Sequence, residues 1–309
     1  MKYLSLAKGL EGVSQLALGC MRMKNRSAQE VASILESAQE IGINFFDHAD
    51  VYGSGDSESC FAKGLRHAGI SRSQVFLQSK CGLRGVHKDY YFDFSKEHIL
   101  ASVEGSLKRL ETDYLDLLLL HRPDALMEPE EVAEAFHHLY QSGKVRHFGV
   151  SNHTPYQIEL LQAVCEKPLI VNQLEFGPAH TPMIDAGLNA NTHNPRGVDR
   201  DGGVLDYCRL KNITIQPWSP FQVDLVQGLF QGHPDYQQLT QKIEELAAAY
   251  QVPFEAMVMA WILRHPAKMQ PIIGSMNPER IHAMGKAFQV DLTRQEWYQI
   301  YKSAGNPLP

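Results

Sequence analysis

A single (β/α)8 TIM barrel of the α/β class is the fold this sequence predicts, on three observations. Eight short apolar runs alternate with longer helical patterns, polar residues gather where those runs end, and no linker rich in Pro, Ser or Gly divides the chain. The runs are 15–18, 43–46, 75–79, 114–120, 145–150, 169–172, 213–216 and 271–273. Short and rich in Val, Ile, Leu and Phe, they suit strands buried on both faces, as in a parallel sheet.

The segments around these runs carry their own punctuation. Apolar alternation near the N-terminus suits a short β-hairpin ahead of the first barrel strand. Ser95 can cap a helix whose apolar positions Ile99, Val103, Leu107 and Leu110 recur at helical spacing. Pro129 suits a first helical turn, with Val132, Phe136 and Leu139 on one face and Gly143 at its close. The stretch 177–203 is rich in Asn, Asp, Gly and His, and is expected to be a substrate-side lid or a disordered insertion. Asn277-Pro278-Glu279 opens the helix carrying Ile281, Met284 and Phe288.

Length and composition fit that architecture. The 309 residues read as one domain, since such barrels run to about 250 residues before insertions. With 44% hydrophobic and 21% charged residues, the chain can bury a sizeable core. A formal charge of −6 offers no general attraction for phosphate backbones, so nucleic acid is excluded as the main partner. Five scattered cysteines without a CxxC read as reduced thiols. The opening MKYLSLAKGLEG holds no signal-peptide core, and the most apolar run, 115–120, is far short of the ~20 residues of a membrane helix. The expectation is a cytoplasmic protein with no membrane partner. Its histidines lack HExxH or similar spacing, so no metal site is expected.

The strand ends carry the chemistry, because barrel active sites form at that face. The second run leads into Asp47 and then Tyr52, the third ends in Lys80, and the fourth in His121. The fifth ends in Ser151-Asn152, the sixth in Gln173, the seventh in Trp218-Ser219 and the eighth in Gly274-Ser275. Singly, such an Asp caps a helix, such a Lys is solvated, and such a His packs in a core. Together they form a set for general acid–base work. A free phenol holds its proton with a pKa of about 10. A neighbouring ammonium would lower that value, and a carboxylate would keep the ammonium charged. Asp47, Lys80 and Tyr52 fill those roles, while His121 would orient the oxygen that receives the proton.

The segments NFFDHADVYG (44–53), QSKCG around Lys80, LLLHRPD (118–124), GVSNH (149–153) and IIGSMNPERI (272–281) resemble the aldo-keto reductase family. The likeness spans almost the whole chain in order and spacing. It implies an NADPH-dependent barrel enzyme, monomeric or weakly homo-oligomeric, that reduces small-molecule aldehydes and ketones. By that resemblance Tyr52 matches the proton donor, Lys80 and Asp47 the pair that tunes it, and His121 the carbonyl-orienting residue. Ser151, Asn152 and Gln173 match positions that hydrogen-bond the nicotinamide carboxamide. Trp218, where many members carry Tyr, matches the ring against the nicotinamide face. Ser219 follows it at the end of the same strand, and Gly19 occupies a cofactor-side position.

No GxGxxG is present, so the phosphates need another cradle. A helix opening after the eighth strand offers free N–H groups and a positive dipole end. Ser275, Asn277 and Arg280 lie there with Gly274, and the resemblance implies that the Ser and Arg grip the 2′-phosphate of NADPH. Gly274 replaces a lysine that many members carry, and Ala283 and Met284 replace a Glu-Asn pair. The preference for NADPH over NADH then rests on one guanidinium. Two other readings compete: a Schiff-base aldolase built on Lys80, and a nicotinamide-binding regulatory subunit without significant turnover. The aromatics Tyr90, Tyr91 and Phe92 are candidates for a substrate wall, and Cys81 is either a reactive thiol beside a cation or an inert core residue.

Overall fold

The structure is a computed structural model describing residues 1–85, 89–224 and 226–309. Its centre is a ring of eight parallel strands: β1 (Ala17–Gly19), β2 (Phe45–Asp47), β3 (Phe76–Cys81), β4 (Leu115–Leu120), β5 (Val145–Ser151), β6 (Leu169–Glu175), β7 (Thr214–Trp218) and β8 (Ile272–Ile273). Each pairs with its successor from β1 to β7, and β8 pairs with β1. The ring shuts between β7 and β8 through a parallel bridge of Ile215 with Met269. There Ile215 N–H donates to the Lys268 carbonyl and Gln270 N–H to that of Ile215, both at 2.9 Å. All eight expected strands are present, with shifted ends. β6 runs past residue 172 because Gln173 and Glu175 continue the ladder opposite Gln216 and Trp218.

The N-terminal hairpin pairs Tyr3–Leu4 with Val13–Ser14. It plugs the floor of the barrel: Leu6, Leu10 and Val13 pack on Ala17, Phe45, Leu117, Leu119 and Val171. A second, larger core lies between the ring and its helices. Ser95 Oγ accepts from His98 N–H at the head of the helix Lys96–Leu110, whose Ile99, Val103, Leu107 and Leu110 are buried. Each such side chain contributes about 1.5–3 kcal/mol when fully buried. Pro129 begins Pro129–Gln141, and Asn277 caps Pro278–Gly285, as their punctuation predicts.

The stretch 177–203 departs from expectation. It holds a helix, Pro182–Leu188, and a 3-10 turn, Pro195–Gly197. Asp185 ties it down, accepting from Arg196 at 2.8 Å and from the Tyr301 hydroxyl at 2.7 Å, while Asn306 donates to Thr181 Oγ1 at 3.1 Å. The segment is thus anchored to the C-terminal helix Arg294–Ser303 rather than being an irregular insertion. Among the described residues no single helix is long and apolar enough to cross a membrane, and no three His, Cys, Asp or Glu side chains cluster as metal ligands would. All five cysteines are free and buried. Burial pushes the Cys81 thiol well above its ordinary value, so it belongs to the core and not to redox chemistry.

Candidate active site

The turn after β2 aims the phenol. Gly53, Ser54 and Gly55 all have positive φ (60°, 57° and 91°), a tight left-handed run that reverses the chain directly after Tyr52. Arg109 clamps this turn from outside: a Cβ on Gly55 would sit 2.6 Å from Arg109 Cδ. The same guanidinium donates to buried Glu58 at 2.7 Å, and Glu58 accepts from Ser79 Oγ of β3 at 2.7 Å. The turn carrying Tyr52 is therefore locked to the strand carrying Lys80.

Lys80 is wholly buried. Its Nζ lies 2.7 and 2.8 Å from the two Asp47 oxygens, 2.8 Å from the His48 carbonyl and 3.1 Å from Tyr52 Oη. Tyr52 Oη accepts from the ammonium, which leaves the phenolic proton free to be donated elsewhere. His121 stands edge-on to the phenol, ring centroids 5.8 Å apart at 82°. Burial, then the charges of Lys80 and Arg122, hold the His121 imidazole well below its ordinary value, so it is neutral.

The tuning of the phenol differs from expectation in sign. Burial pushes Tyr52 above its ordinary value, and the downward pull of Lys80 does not outweigh it. Burial also opposes the Lys80 charge, but Asp47 prevails and Lys80 is held above its ordinary value. The resting site is therefore a protonated phenol on a charged ammonium. That suits donation, since the ammonium's help is needed only as negative charge develops on the oxygen.

Around this centre opens a cleft of about 620 Å³. Gly19, Asp47, Tyr52, His121, Ser151, Asn152, Gln173, Trp218, Ser219, Gly274, Ser275, Asn277 and Arg280 all line it; of the catalytic and cofactor-binding set expected from the sequence Lys80 alone does not, standing behind Asp47 and Tyr52. A Schiff-base role for Lys80 has no access and lapses. Trp218 Nε1 donates to Asn152 Oδ1 at 3.2 Å, Asn152 Nδ2 to Ser151 Oγ at 2.8 Å, and Ser151 Oγ to the Gln173 carbonyl at 3.0 Å. Asn152 and Ser219 sit at positive φ (59° and 51°), local strain that is held at functional surfaces. Gln173 Nε2 donates to Asp47 Oδ1 at 3.1 Å and to Gln216 at 3.0 Å, so its amide N–H groups face inward.

At the far end Asn277 Oδ1 accepts from the N–H groups of Glu279 (2.8 Å) and Arg280 (3.4 Å). Arg280 lies 3.7 Å from Glu255. Sequence reasoning missed Arg22, Arg26 and Arg122, which also line the cleft. Arg22 Nη1 donates to the Gly274 carbonyl at 3.2 Å, and a Cβ at 274 would lie 2.8 Å from it. The Gly-Cys-Met-Arg run after β1 was a signal for this, since it continues a strand end already marked by Gly19. Also missed was the strap between β7 and the next helix, a hairpin of Gln222–Asp224 with Gly228–Leu229 whose Phe221, Gln222 and Leu229 wall the cleft. Tyr90, Tyr91 and Phe92 do not line it; Tyr91–Phe92 pairs with Leu83–Arg84 and is exposed. Nor does any residue of 177–203, so the lid expectation gives way.

The cleft fits a flat ring and an anionic tail. Trp218 offers an aromatic face, and four guanidiniums stand against Asp47, already paired, and Glu255. That local positive excess sits in a chain of net negative charge.

Comparison with known proteins gives the chain its family. The family model described as Aldo/keto reductase family matches residues 15–304. Oxidoreductase YdhF of Escherichia coli is 37% identical over 94% of this chain and 93% of its own. A 6-dehydroglucose reductase of Agrobacterium fabrum is 33% identical over 98% of both. Among solved structures, a Bombyx mori aldo-keto reductase in complex with NADP superposes with a TM-score of 0.73 at 22% identity, covering 98% of this chain and 92% of that one.

Proposed function

We propose that this chain, which belongs to the aldo/keto reductase family, reduces a small-molecule aldehyde or ketone to an alcohol with NADPH, Tyr52 giving the proton. One observation carries the reading: at the base of a cleft of about 620 Å³, the Tyr52 hydroxyl accepts from a buried ammonium and keeps its own proton free. The cofactor would supply a hydride to the carbonyl carbon. As electrons move onto the carbonyl oxygen, Tyr52 hands it the phenolic proton, and the Lys80 ammonium stabilises the phenolate left behind. Neutral His121 orients that oxygen without competing as an acid. Asp47 keeps Lys80 in place.

The nicotinamide end would meet Trp218, Asn152, Ser151 and Gln173, beside Gly19 and Ser219. Gly274, Ser275, Asn277 and Arg280 would hold the phosphate end, with Arg22 and Arg26 across the cleft. Arg22 supplies a guanidinium beside the position where Gly274 leaves no side chain, so the case for NADPH over NADH rests on more than Arg280 alone. The relatives named for 6-dehydroglucose point to a carbonyl compound rich in hydroxyl groups as the substrate class to screen first.

Tyr52→Phe tests the assignment. It should cut NADPH oxidation with reactive aldehydes by about 10²- to 10⁴-fold while NADPH still binds, read by fluorescence titration. Turnover undiminished in that variant removes Tyr52 as the donor.

A further inference from the structure

Barrel interiors are ordinarily filled by branched apolar side chains. This one instead carries a chain of buried primary amides. Gln78 of β3, Gln216 of β7 and Gln270 are fully buried, and Gln173 of β6 is 4% exposed. Gln270 Nε2 donates to the Ser14 carbonyl at the barrel floor, 2.8 Å away. Gln216 Nε2 donates to Gln270 Oε1 at 2.9 Å and to Gln78 Oε1 at 3.0 Å. Gln216 Oε1 accepts from Gln78 at 2.9 Å and from Gln173 at 3.0 Å. The chain ends on the carboxylate beside the phenol: Gln78 Nε2 donates to Asp47 Oδ1 at 2.5 Å, and Gln173 Nε2 at 3.1 Å.

The orientation of these amides follows from the ends. Asp47 and the Ser14 carbonyl are both acceptors, so the terminal glutamines must present N–H to them. The reciprocal pair Gln78–Gln216 then reconciles the two directions across the barrel, with the Gln78 and Gln216 amide groups all bonded. Burying four amides is costly unless every group is paired, and apolar residues would fill the same space at less risk. What the amides gain is geometry. They do not titrate near neutral pH, so they fix Asp47 without offering it a proton. Asp47 Oδ1 takes Gln78, Gln173 and Lys80 together, which blocks rotation of the carboxylate.

We infer that the Gln78–Gln216 pair is a positioning device: by pinning Asp47 it holds Lys80 Nζ on Tyr52 Oη, and so sets the strength of the acid. The inference rests on the reading of Tyr52 as proton donor. Neither glutamine lines the cleft, so both act through Asp47.

Gln216→Met and Gln78→Met keep the length of the side chain and delete its hydrogen bonds. Gln78→Met takes one of the two amides from Asp47, and Gln216→Met removes the group that fixes Gln78 and Gln173 against it. In either variant the carboxylate is held less firmly and draws Lys80 from the phenol, so the Tyr52 proton is held more tightly. Both variants should lower kcat by about tenfold to a hundredfold at unchanged KM and unchanged NADPH affinity. In the direction of alcohol oxidation, the alkaline rise of kcat should move to higher pH. A purely structural role would lower the melting temperature and leave that pH profile where it was. Folded variants with wild-type kcat and pH profile overturn the inference, and so does a failure of both to fold, which would assign the ladder to folding alone. Tyr52→Phe separates this from the parent reading. If that variant turns over normally the donor assignment fails; if it is inactive while the methionine variants match wild type, only the ladder inference fails.

Discussion

Lys80→Met isolates the energetics of the buried ion pair. In the native site the Asp47 carboxylate accepts twice from Lys80, at 2.7 and 2.8 Å, and both side chains are out of water. Methionine fills most of the volume but leaves Asp47 facing only the amides of Gln78 and Gln173. Removing one partner of a buried pair costs about 3–5 kcal/mol, because the charge that remains is uncompensated. Unfolding entropy of about 2.1 cal/mol/K per residue over 309 residues amounts to about 0.65 kcal/mol/K. The single variant should therefore melt about 5–8 °C below wild type, followed by circular dichroism at one fixed scan rate. Asp47→Asn combined with Lys80→Met removes the stranded charge and should recover most of that loss, yet turnover should remain low because Tyr52 has lost its ammonium. A Lys80→Met protein as stable as wild type, or a double variant no more stable than the single, would refute the view that Asp47 depends on Lys80 for its burial.

Asp50, beside the Tyr52 turn, predicts a pH dependence of stability. Burial pushes its carboxyl up to about 7, and its Oδ1 has no partner among the described residues. The unfolded chain releases that proton near 4, so from there to about 7 the folded state binds more protons and stability falls as pH rises. Asp50→Asn should match wild type near pH 3, below both values, and exceed it at pH 8, by at most about 4 kcal/mol and less where water reaches the carboxyl; parallel melting curves against pH would contradict this. At the cofactor end, Gly274→Ala should push the Arg22 guanidinium aside at little cost in stability, since only the tip of a flexible side chain must move. NADPH should then bind several-fold more weakly, and Arg22→Ala about tenfold more weakly, or about 1.4 kcal/mol; unchanged titrations in both would detach Arg22 from the phosphates.

Which parts of this molecule were legible in its sequence follows from what each part depends on. The barrel strands were visible because burial on both faces imposes a local composition, and their C-terminal ends marked Asp47, Lys80 and His121 without reference to anything distant. Strand boundaries were less visible: β2 reaches Asp47 and β6 reaches Glu175 because ladder bonds to neighbouring strands extend them past the last apolar residue. Segment 177–203 looked structureless because its order comes from Tyr301 and Asn306, more than a hundred positions further on. The sign of the Tyr52 shift was missed for a related reason. Chain order announces a cation near a phenol, but the depth of burial that outweighs it is a property of the assembled cleft.

The glutamines mark the limit of such reading most clearly. Gln78 and Gln216 fell inside expected strands, where an amide among apolar neighbours carries no message until the opposite wall of the barrel is known. Gln78 precedes Lys80 by two residues, so the pleat places both on the inner face, and Gln173 stands opposite Gln216 in the β6–β7 ladder. Two strands thus meet on one carboxylate, and Gln216 of a third braces the amides that hold it. A set of polar residues that is buried, mutually hydrogen-bonded and connected through Asp47 and Lys80 to Tyr52 constrains the site more tightly than an apolar filling could. If the proposed positioning role holds, variants in the ladder should change both the stability of the barrel and the acidity of Tyr52, whereas changes to the apolar plug of Leu6, Leu10 and Val13 should change stability alone.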